Sequence, residues 1–233
     1  GTNTLTLTAN NTYSGTTTVE GGLLSVSTLG ATTGAIGSSS LVFAGGGLRY
    51  TGATGAIDRA ITITDGFEGT IDIANPASTL TLTSQITATS VSGTKLVKAG
   101  PGTLILDADN SVSLAADTDV EAGTLTLRAS AGLGSGTLTL AGGSELLLGH
   151  GVDIANNIIL SGDATIGLTI QPIDVEYLIV GGGGSGGTSL GDIAGGGGGG
   201  AGGLLLGNKT LGNTTPYTIV VGAGGTAPTA GED

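Results

Sequence analysis

The sequence predicts an all-β chain in which a parallel β-helix, or solenoid, at residues 1-172 is followed by a glycine-rich module at residues 173-233. Three observations predict this fold. Aliphatic residues alternate with Thr or Ser in many short segments, which is the period of a β-strand. The pattern repeats internally after about one hundred residues, and repeats of short strands are typical of solenoids. Finally, 48 of the 233 residues are glycine, concentrated near the end of the chain.

The internal repeat covers most of the first 170 residues. GTNTLTLTANNT at residues 1–12 returns as GPGTLILDADNS at 100–111, and VEGGLLSV at 19–26 returns as VEAGTLTL at 120–127. GSSSLVFAGG at 37–46 then matches GSGTLTLAGG at 134–143. The offsets of 99, 101 and 97 residues differ because of small insertions. Each repeat therefore contains several coils.

Eleven segments have the period of a strand and are bounded by Gly, Asn or Asp. We predict strands in TLTLT, TTVEGGLLSV, SLVFAGGGLRY, AITIT, GTIDIA, STLTLTSQITATSV, KLVKAGPGTLIL, DVEAGTLTL, GTLTLAGGSELLL, NNIILS and ATIGLTI. Stacking like strands about 4.8 Å apart would place aliphatic residues in internal columns. A β-sandwich is the alternative, but its two-residue hairpin signal occurs here only at Asp65-Gly66.

Composition and charge restrict the core and the partners. With no Cys, Met or Trp and 3% aromatic residues, the interior must be filled by Leu, Ile, Val and Ala. The net charge of −12 repels nucleic acid and anionic membranes. The absence of Cys excludes disulfides, thiolate catalysis and Cys-ligated zinc. No run reaches the ~18 apolar residues of a membrane span, so we expect no membrane insertion.

Residues 95–129, KLVKAGPGTLILDADNS and DVEAGTLTLRA with the linking residues between them, together with residues 1–26, resemble the autotransporter passenger-associated strand repeat. The resemblance extends over roughly residues 1 to 170. It implies a right-handed parallel β-helix displayed outside a bacterial cell or on its surface, as a stalk or adhesive rod without chemistry of its own. The chain begins inside a repeat without a targeting peptide, so we expect a fragment or processed product.

The last third of the chain is glycine-rich, with 15 glycines among residues 181–203. Its ends, VEYLIVGGGG and YTIVVGAGG, resemble those of a glycine-rich module of bacterial surface and phage tail-fibre proteins. A flexible linker is one interpretation. The apolar flanking strands predicted at 175–180 and 217–221 favour another, in which extended, polyproline-II-like glycine segments pack side by side because no Cβ intervenes.

Two motifs suggest chemistry, but each has a simpler explanation. Gly181, Gly183 and Gly186 form the G-x-G-x-x-G of a dinucleotide site, which also requires a following helix. The sequence TSLGDIAGGGGGG predicts none. His150 is the only histidine and has no Ser at a nucleophile elbow nearby. We therefore expect His150 to be a turn or surface residue.

Paired carboxylates are the remaining candidates for catalysis. Asp107 with Asp109, and Asp117 with Asp119, lie two residues apart and would face the same way on a strand, as glycan cleavage requires two carboxyl groups. The first repeat has Thr8 where the second has Asp107, and sugar-binding aromatic residues are scarce. Neither an EF-hand nor a nonapeptide Ca²⁺ motif is present. We predict no catalytic, cofactor-binding or metal-ligating residues.

The favoured function is an extracellular structural or adhesive rod, non-catalytic, whose glycine-rich end mediates packing or attachment. Expected partners are other protein subunits or cell-surface glycans, with a homo-oligomer or fibre as a further possibility. A phage tail-fibre adhesin is an alternative, and a polysaccharide-cleaving β-helix enzyme is another. An ice-binding solenoid is a third, suggested by Thr ladders that are not kept on every coil. The threonines that suggest an ice-binding solenoid are Thr4, Thr6 and Thr8, and Thr79, Thr81 and Thr83.

Overall fold

The structure is a computed structural model that describes residues 3–29, 34–38, 40–90, 92–169, 173–187, 198–211, 218 and 220. The chain divides into two compact units, residues 1–169 and 170–233. Strands and turns account for the regular structure of the described residues, which include no helix. The all-β prediction is thereby confirmed.

The described residues of the first unit form eighteen short strands. In chain order they are β1 (Thr4–Leu7), β2 (Thr17–Val19), β3 (Gly22–Val26), β4 (Leu41–Phe43), β5 (Gly46–Tyr50), β6 (Gly55–Ile57), β7 (Ile61–Ile63), β8 (Glu68–Ile73), β9 (Thr79–Leu82), β10 (Ile86–Thr87), β11 (Lys95–Ala99), β12 (Thr103–Leu106), β13 (Asp117–Val120), β14 (Thr124–Leu127), β15 (Leu138–Leu140), β16 (Glu145–Leu148), β17 (Ile158–Leu160) and β18 (Thr165–Leu168). All eleven predicted segments contain a strand. The longer ones are divided by a corner, and β6 was not predicted.

These strands make three parallel sheets, which are the faces of a solenoid. Sheet A is β1-β3-β5-β8-β11-β13-β15-β17, sheet C is β10-β7-β4-β2, and sheet D is β18-β16-β14-β12-β9-β6. A complete coil passes from sheet C to sheet A to sheet D before the chain returns one layer further on. Every strand pair in the unit is parallel, which excludes the antiparallel β-sandwich. Right-handed winding stays a prediction.

The length of a coil follows from the pairing register. In sheet A, Lys95 lies beside Glu68 on one side and beside Asp117 on the other, so these two coils contain 27 and 22 residues. Later coils are shorter, as Leu138 pairs with Ile158 after 20 residues. Beyond β10, short turns replace the strands of sheet C.

Aliphatic columns fill the solenoid. In sheet D, Leu80, Leu104, Leu125 and Leu146 are direct neighbours on successive coils, and all four are completely buried. Fully burying a leucine side chain contributes about 1.5–3 kcal/mol. Since each leucine packs on its counterpart, the columns hold every coil to the next. The predicted ladders of Leu, Ile and Val are confirmed.

Glycine corners recur at matching repeat positions. Gly22 and Gly123 have φ values of 71° and 69°, and Gly37 and Gly134 both have a φ of 61°. These left-handed conformations favour glycine. At Gly134 a Cβ would also overlap the carbonyl oxygen of Leu114 on the preceding coil. Glycine therefore provides both the turn conformation and the close approach of coils.

Asparagine side chains connect successive coils at a second corner. Asn11 Nδ2 donates to the carbonyl oxygen of Ala35 at 2.7 Å, and its repeat counterpart Asn110 donates to that of Gly132 at 2.6 Å. The Oδ1 of Asn110 also accepts a hydrogen bond from the amide of Ile86 at 2.9 Å. Asn110 therefore satisfies backbone groups of the coils on both sides of its own, as buried polar groups require.

The described residues of the second unit form an antiparallel hairpin, β19 (Ile173–Val180) paired with β20 (Leu204–Leu211). β19 includes the predicted strand at 175–180, whereas its partner β20 was not predicted. Of the strand expected at 217–221, only Thr218 and Val220 are described, and neither lies in a strand.

Glycine segments 181–187 and 198–203 continue the register of the hairpin beyond the strands. The Gly181 amide donates to Gly203 O at 2.6 Å, and the Gly184 amide to Gly200 O at 3.0 Å. A Cβ at Gly199 or Gly202 would overlap a carbonyl oxygen of the facing segment. Side-by-side packing of glycine backbones is therefore found here, and a polyproline-II-like conformation stays a prediction.

Replacing Leu125 by Asp should destabilise the solenoid by roughly 5 kcal/mol or more, because a carboxylate without a partner would replace a leucine inside a filled column. Chemical denaturation followed by circular dichroism measures the loss. Val112 is 92% exposed, so Val112→Asp is the control and should leave the free energy of unfolding nearly unchanged. Equal stability of the two variants would contradict the column model.

The corner glycines allow a second, matched comparison. Gly134→Ala should lose about 3 kcal/mol, from the left-handed conformation and from overlap with Leu114. Gly151 has a similar φ of 72° but open space around it, so Gly151→Ala should lose roughly 1 kcal/mol. Urea denaturation of both variants tests this. A loss at Gly151 as large as at Gly134 would show that close approach of the coils is not the constraint.

Candidate functional site

The outer face of sheet A has a small charged cluster centred on Lys95. Its Nζ lies 2.6 Å from Asp119 Oδ2, and Glu68 and Asp117 are its register neighbours in the adjoining coils. The hydrogen bond from Lys95 to Asp119 is the main cause that raises the pKa of the lysine, and attraction to the surrounding carboxylates adds to it. One lysine thus faces three carboxylates, so the cluster keeps an excess of negative charge.

The two predicted carboxylate pairs lie in different settings. Asp117 and Asp119 are on β13 and alternate with buried residues, so they share the outer face as predicted. Asp107 and Asp109, however, follow the end of β12 at Leu106, and the prediction that they lie on a strand was wrong. The chain turns there into the asparagine corner, which the two-residue spacing alone does not reveal.

The carboxylates at these positions already have partners. Asp117 Oδ1 accepts a hydrogen bond from the Thr137 amide at 2.8 Å, and Asp107 Oδ2 lies 3.5 Å from Arg128 Nη1. The amide of Ser111 is the main cause that lowers the pKa of Asp109. Glycan-cleaving enzymes need one carboxyl with a raised pKa as general acid. The interactions at Asp109 act in the opposite direction.

The other residues considered from the sequence do not form a site among the described residues. His150 is exposed in a turn, as predicted. Gly181, Gly183 and Gly186 lie in the extended segment 181–187, and the residues that follow, 188–197, are outside the described part. No group of three or more His, Asp or Glu side chains suitable for a metal ion occurs in the described ranges.

The Thr ladders are regular over only part of sheet D. Thr79, Thr103 and Thr124 are neighbours on three successive coils. In the next coil Glu145 takes this position and lies beside Thr124, whose hydroxyl donates to Glu145 Oε2 at 3.0 Å. The flat, uniform hydroxyl surface expected of an ice-binding solenoid is therefore interrupted on this face.

A groove of about 330 Å³ lies at the first coils, between β1, β2 and β3. Leu5, Leu7 and Val19 form much of its wall, and the Tyr13 hydroxyl is 2.8 Å from the hydroxyl of Thr17. Tyr13 and Glu20 are its titratable side chains. The groove is open and mainly aliphatic, so its composition favours apolar contact over acid-base chemistry.

Lys98 is a feature that the sequence analysis missed. It takes the place of an aliphatic residue in a column of sheet A, between Ile71 and Val120, and is completely buried. Its Nζ donates to the carbonyl oxygens of Ala99, Gly100 and Ala122 at 2.9, 2.7 and 2.9 Å. All three ammonium hydrogens therefore have acceptors at the corner that follows β11. Lys98 lies two residues after the buried Leu96 on β11, and this spacing was the signal that could have placed it inside.

Burial lowers the pKa of Lys98 to about 8, and attraction to Asp72 opposes this shift. The unfolded chain has the usual lysine pKa of about 10.4. Between these two values the unfolded state binds more protons than the folded state, so stability should rise with pH in this window.

We expect the free energy of unfolding of the natural chain to rise by about 2–3 kcal/mol between pH 8 and 10.5, relative to that of Lys98→Met. Urea denaturation across this range measures the difference. The control is Lys95→Met, because the pKa of Lys95 is raised. The free energy of unfolding of the natural chain, relative to that of Lys95→Met, should not increase over this pH range. If the difference in free energy of unfolding between the natural chain and Lys98→Met does not change with pH, Lys98 is not buried with a lowered pKa.

The hairpin of the second unit has an unusual exposed surface. Because its strands pair in register, Leu178 lies opposite Leu206 and Val180 opposite Leu204, all on one face. We call these four residues the aliphatic quartet, and their side chains are between 58 and 68% exposed. On the other face, Tyr177 lies over Gly207, where a Cβ would come within 2.7 Å of the ring carbon Cζ. Exposed apolar clusters of this kind mark interaction surfaces.

Comparison with known proteins gives two family matches and one similar protein. Residues 1–26 and 96–127 match the passenger-associated-transport-repeat family, and residues 159–233 match a glycine-rich domain family. The chain is similar to the adhesin BmaC autotransporter of Brucella suis biovar 1 (strain 1330), with 42% identity over 119 residues. That alignment covers 48% of this chain and 3% of the relative.

No solved structure matches the chain with significance. The described residues contain no helix of the length and apolarity needed to cross a membrane. The parallel sheets, the stacked columns and the two repeat matches agree with one another. The first unit is therefore a parallel β-solenoid in which residues 1–26 and 96–127 match the passenger-associated-transport-repeat, and the match to a glycine-rich domain covers residues 159–233.

Proposed function

We propose that the chain is a non-catalytic, adhesive segment of a bacterial surface protein, exposed at the cell surface or outside the cell. The solenoid acts as a stiff scaffold, and the glycine-rich unit mediates packing or attachment. Its partners are other protein subunits or cell-surface glycans. The observation that carries the proposal is the continuous stack of filled coils together with the likeness to an autotransporter adhesin.

The geometry of the solenoid supports a scaffold role. Eight strands of sheet A, spaced by about 4.8 Å, give this unit a length of roughly 34 Å. Because each coil is fixed to the next by a parallel ladder and by the columns, the unit resists bending. Outward side chains of sheets A and D are mostly Thr, Ser and charged residues, which suits a surface in contact with water or glycans.

The partners of the carboxylates support a role without turnover. Asp107 forms an ion pair with Arg128, and Asp119 forms one with Lys95. Glycan hydrolysis needs two carboxyl groups that act together on one glycosidic bond. Carboxylates that are each paired with a cation of a neighbouring coil serve better as a polar surface than as an acid and a base.

The proposal predicts saturable binding of the full chain to cells. Polystyrene beads coated with the chain should be retained on cultured animal cells, whereas beads coated with the destabilised Leu125→Asp variant should not. Asp107→Asn and Asp119→Asn should bind as the natural chain does, because adhesion needs no carboxylate chemistry. Retained beads are counted by microscopy as the number of added beads is increased and as soluble chain is added as a competitor.

A second measurement separates the enzyme alternative. The chain is incubated with a set of acidic and neutral polysaccharides, and new reducing ends are measured. We expect no release above that of buffer. Release that is lost in Asp107→Asn would overturn the non-catalytic assignment. Retention of the beads on bacterial cells in place of animal cells would favour the phage-fibre alternative.

A further inference from the structure

Among the described side chains of the hairpin, the aliphatic quartet is the largest exposed aliphatic cluster. Leu178, Val180, Leu204 and Leu206 are 58, 66, 64 and 68% exposed, and they lie on the same face of β19 and β20. The described residues of this unit form two strands, and a two-stranded sheet is marginally stable in water unless further strands or another layer cover it. The exposed face therefore has the composition of a surface that binds a covering layer.

We propose that the quartet is a self-association surface, on which the same face of a second copy of the chain packs to form two layers of hairpins. The inference deepens the packing role in the proposed function and rests on it. A two-fold arrangement uses one patch twice, so the patch must be complementary to itself. Four branched aliphatic side chains without charge meet this condition.

Charge and chemistry argue against other occupants. The chain has a net charge of −12, which opposes binding to an anionic membrane and, to a degree that salt screens, also opposes a second copy. Glycans are held by hydrogen bonds and aromatic stacking, and the quartet offers neither. Glu176, the charged neighbour on this face, lies opposite Asn208, so the charge is at one end of the patch. A like copy can place its own quartet against the uncharged part.

The area predicts a weak interaction for a single pair. Two facing quartets bury on the order of 500 Å² of apolar surface, taking roughly 100 Å² for a whole aliphatic side chain. Standard interfaces bury about 1,200–2,000 Å², so we expect dissociation constants in the high micromolar range. Chains displayed side by side gain from a raised effective concentration. Weak pairing is then sufficient to bundle neighbouring chains.

Analytical ultracentrifugation of the full chain over a wide concentration range tests the proposal. We expect a reversible equilibrium between monomer and dimer that strengthens as NaCl is raised, because salt screens the repulsion between acidic copies. Leu206→Asp should weaken association by about a hundredfold or more, since it places a charge in the interface. The matched control is Ile179→Asp on the opposite face, where Ile179 is 55% exposed, and it should associate as the natural chain does.

Cross-linking gives a second measurement that does not depend on an introduced charge. Since the chain has no cysteine, Leu206→Cys and Ile179→Cys each introduce a single thiol. A short bis-maleimide reagent should join two copies of Leu206→Cys and leave Ile179→Cys mostly monomeric. A monomer at every concentration, or equal effects of the two faces, would overturn the proposal.

The outcomes separate this inference from the proposed function. If the chain stays monomeric but beads coated with it are still retained on cells, the self-association proposal fails and the adhesive function stands. If the chain dimerises through the quartet but binds no cells, the self-association proposal stands and the adhesive function fails.

Discussion

The stacking of each strand on its counterpart one coil later is the interaction on which the solenoid depends. The parallel register puts leucine on leucine in sheet D, where Leu80, Leu104, Leu125 and Leu146 form one column. The same register aligns corner residues, so a turn that suits one coil must suit its neighbours. Glycine with positive φ and asparagine with a side chain directed at the next coil recur for this reason. The same stacking requirement therefore fixes the spacing of the backbone, the filling of the core and the residues at the corners.

Much of this was predictable from the sequence because strand periodicity and the long repeat are local signals. Period-two segments located the strands, and the repeat paired Asn11 with Asn110 and Gly37 with Gly134, which have matching roles in the structure. One pairing was shifted by a residue: Gly45 was aligned with Gly142, but the positive φ values are at Gly45 and Gly143. Sequence matching aligns identical residues, whereas the backbone conformation decides which residue forms the corner. Where two glycines are adjacent, the aligned glycine and the corner glycine can therefore differ by one position.

Strand periodicity and the repeat did not predict three other features of the structure. Lys98 was not expected inside because lysine is rarely buried, and its burial depends on three carbonyl groups that the corner brings together only in the folded coil. The partner of β19 was missed because LLLGNKTL lacks clear alternation and follows a long run of glycines. Asp107 and Asp109 were placed on a strand because spacing does not show where a strand ends. In each case the deciding contact joins residues distant in sequence or depends on the path of the backbone.

The regularity that stabilises the solenoid also determines what kind of function it can support. A catalytic site needs groups that differ from one another, brought together in a cleft that excludes water. Stacked coils instead place similar side chains at a constant spacing on flat outer faces, and their titratable groups pair with neighbouring coils, as Lys95 does with Asp119. Such a surface makes many equivalent weak contacts along its length. Weak contacts become effective when they are numerous and held at fixed spacing, so a stiff repetitive scaffold is physically suited to adhesion and lateral packing.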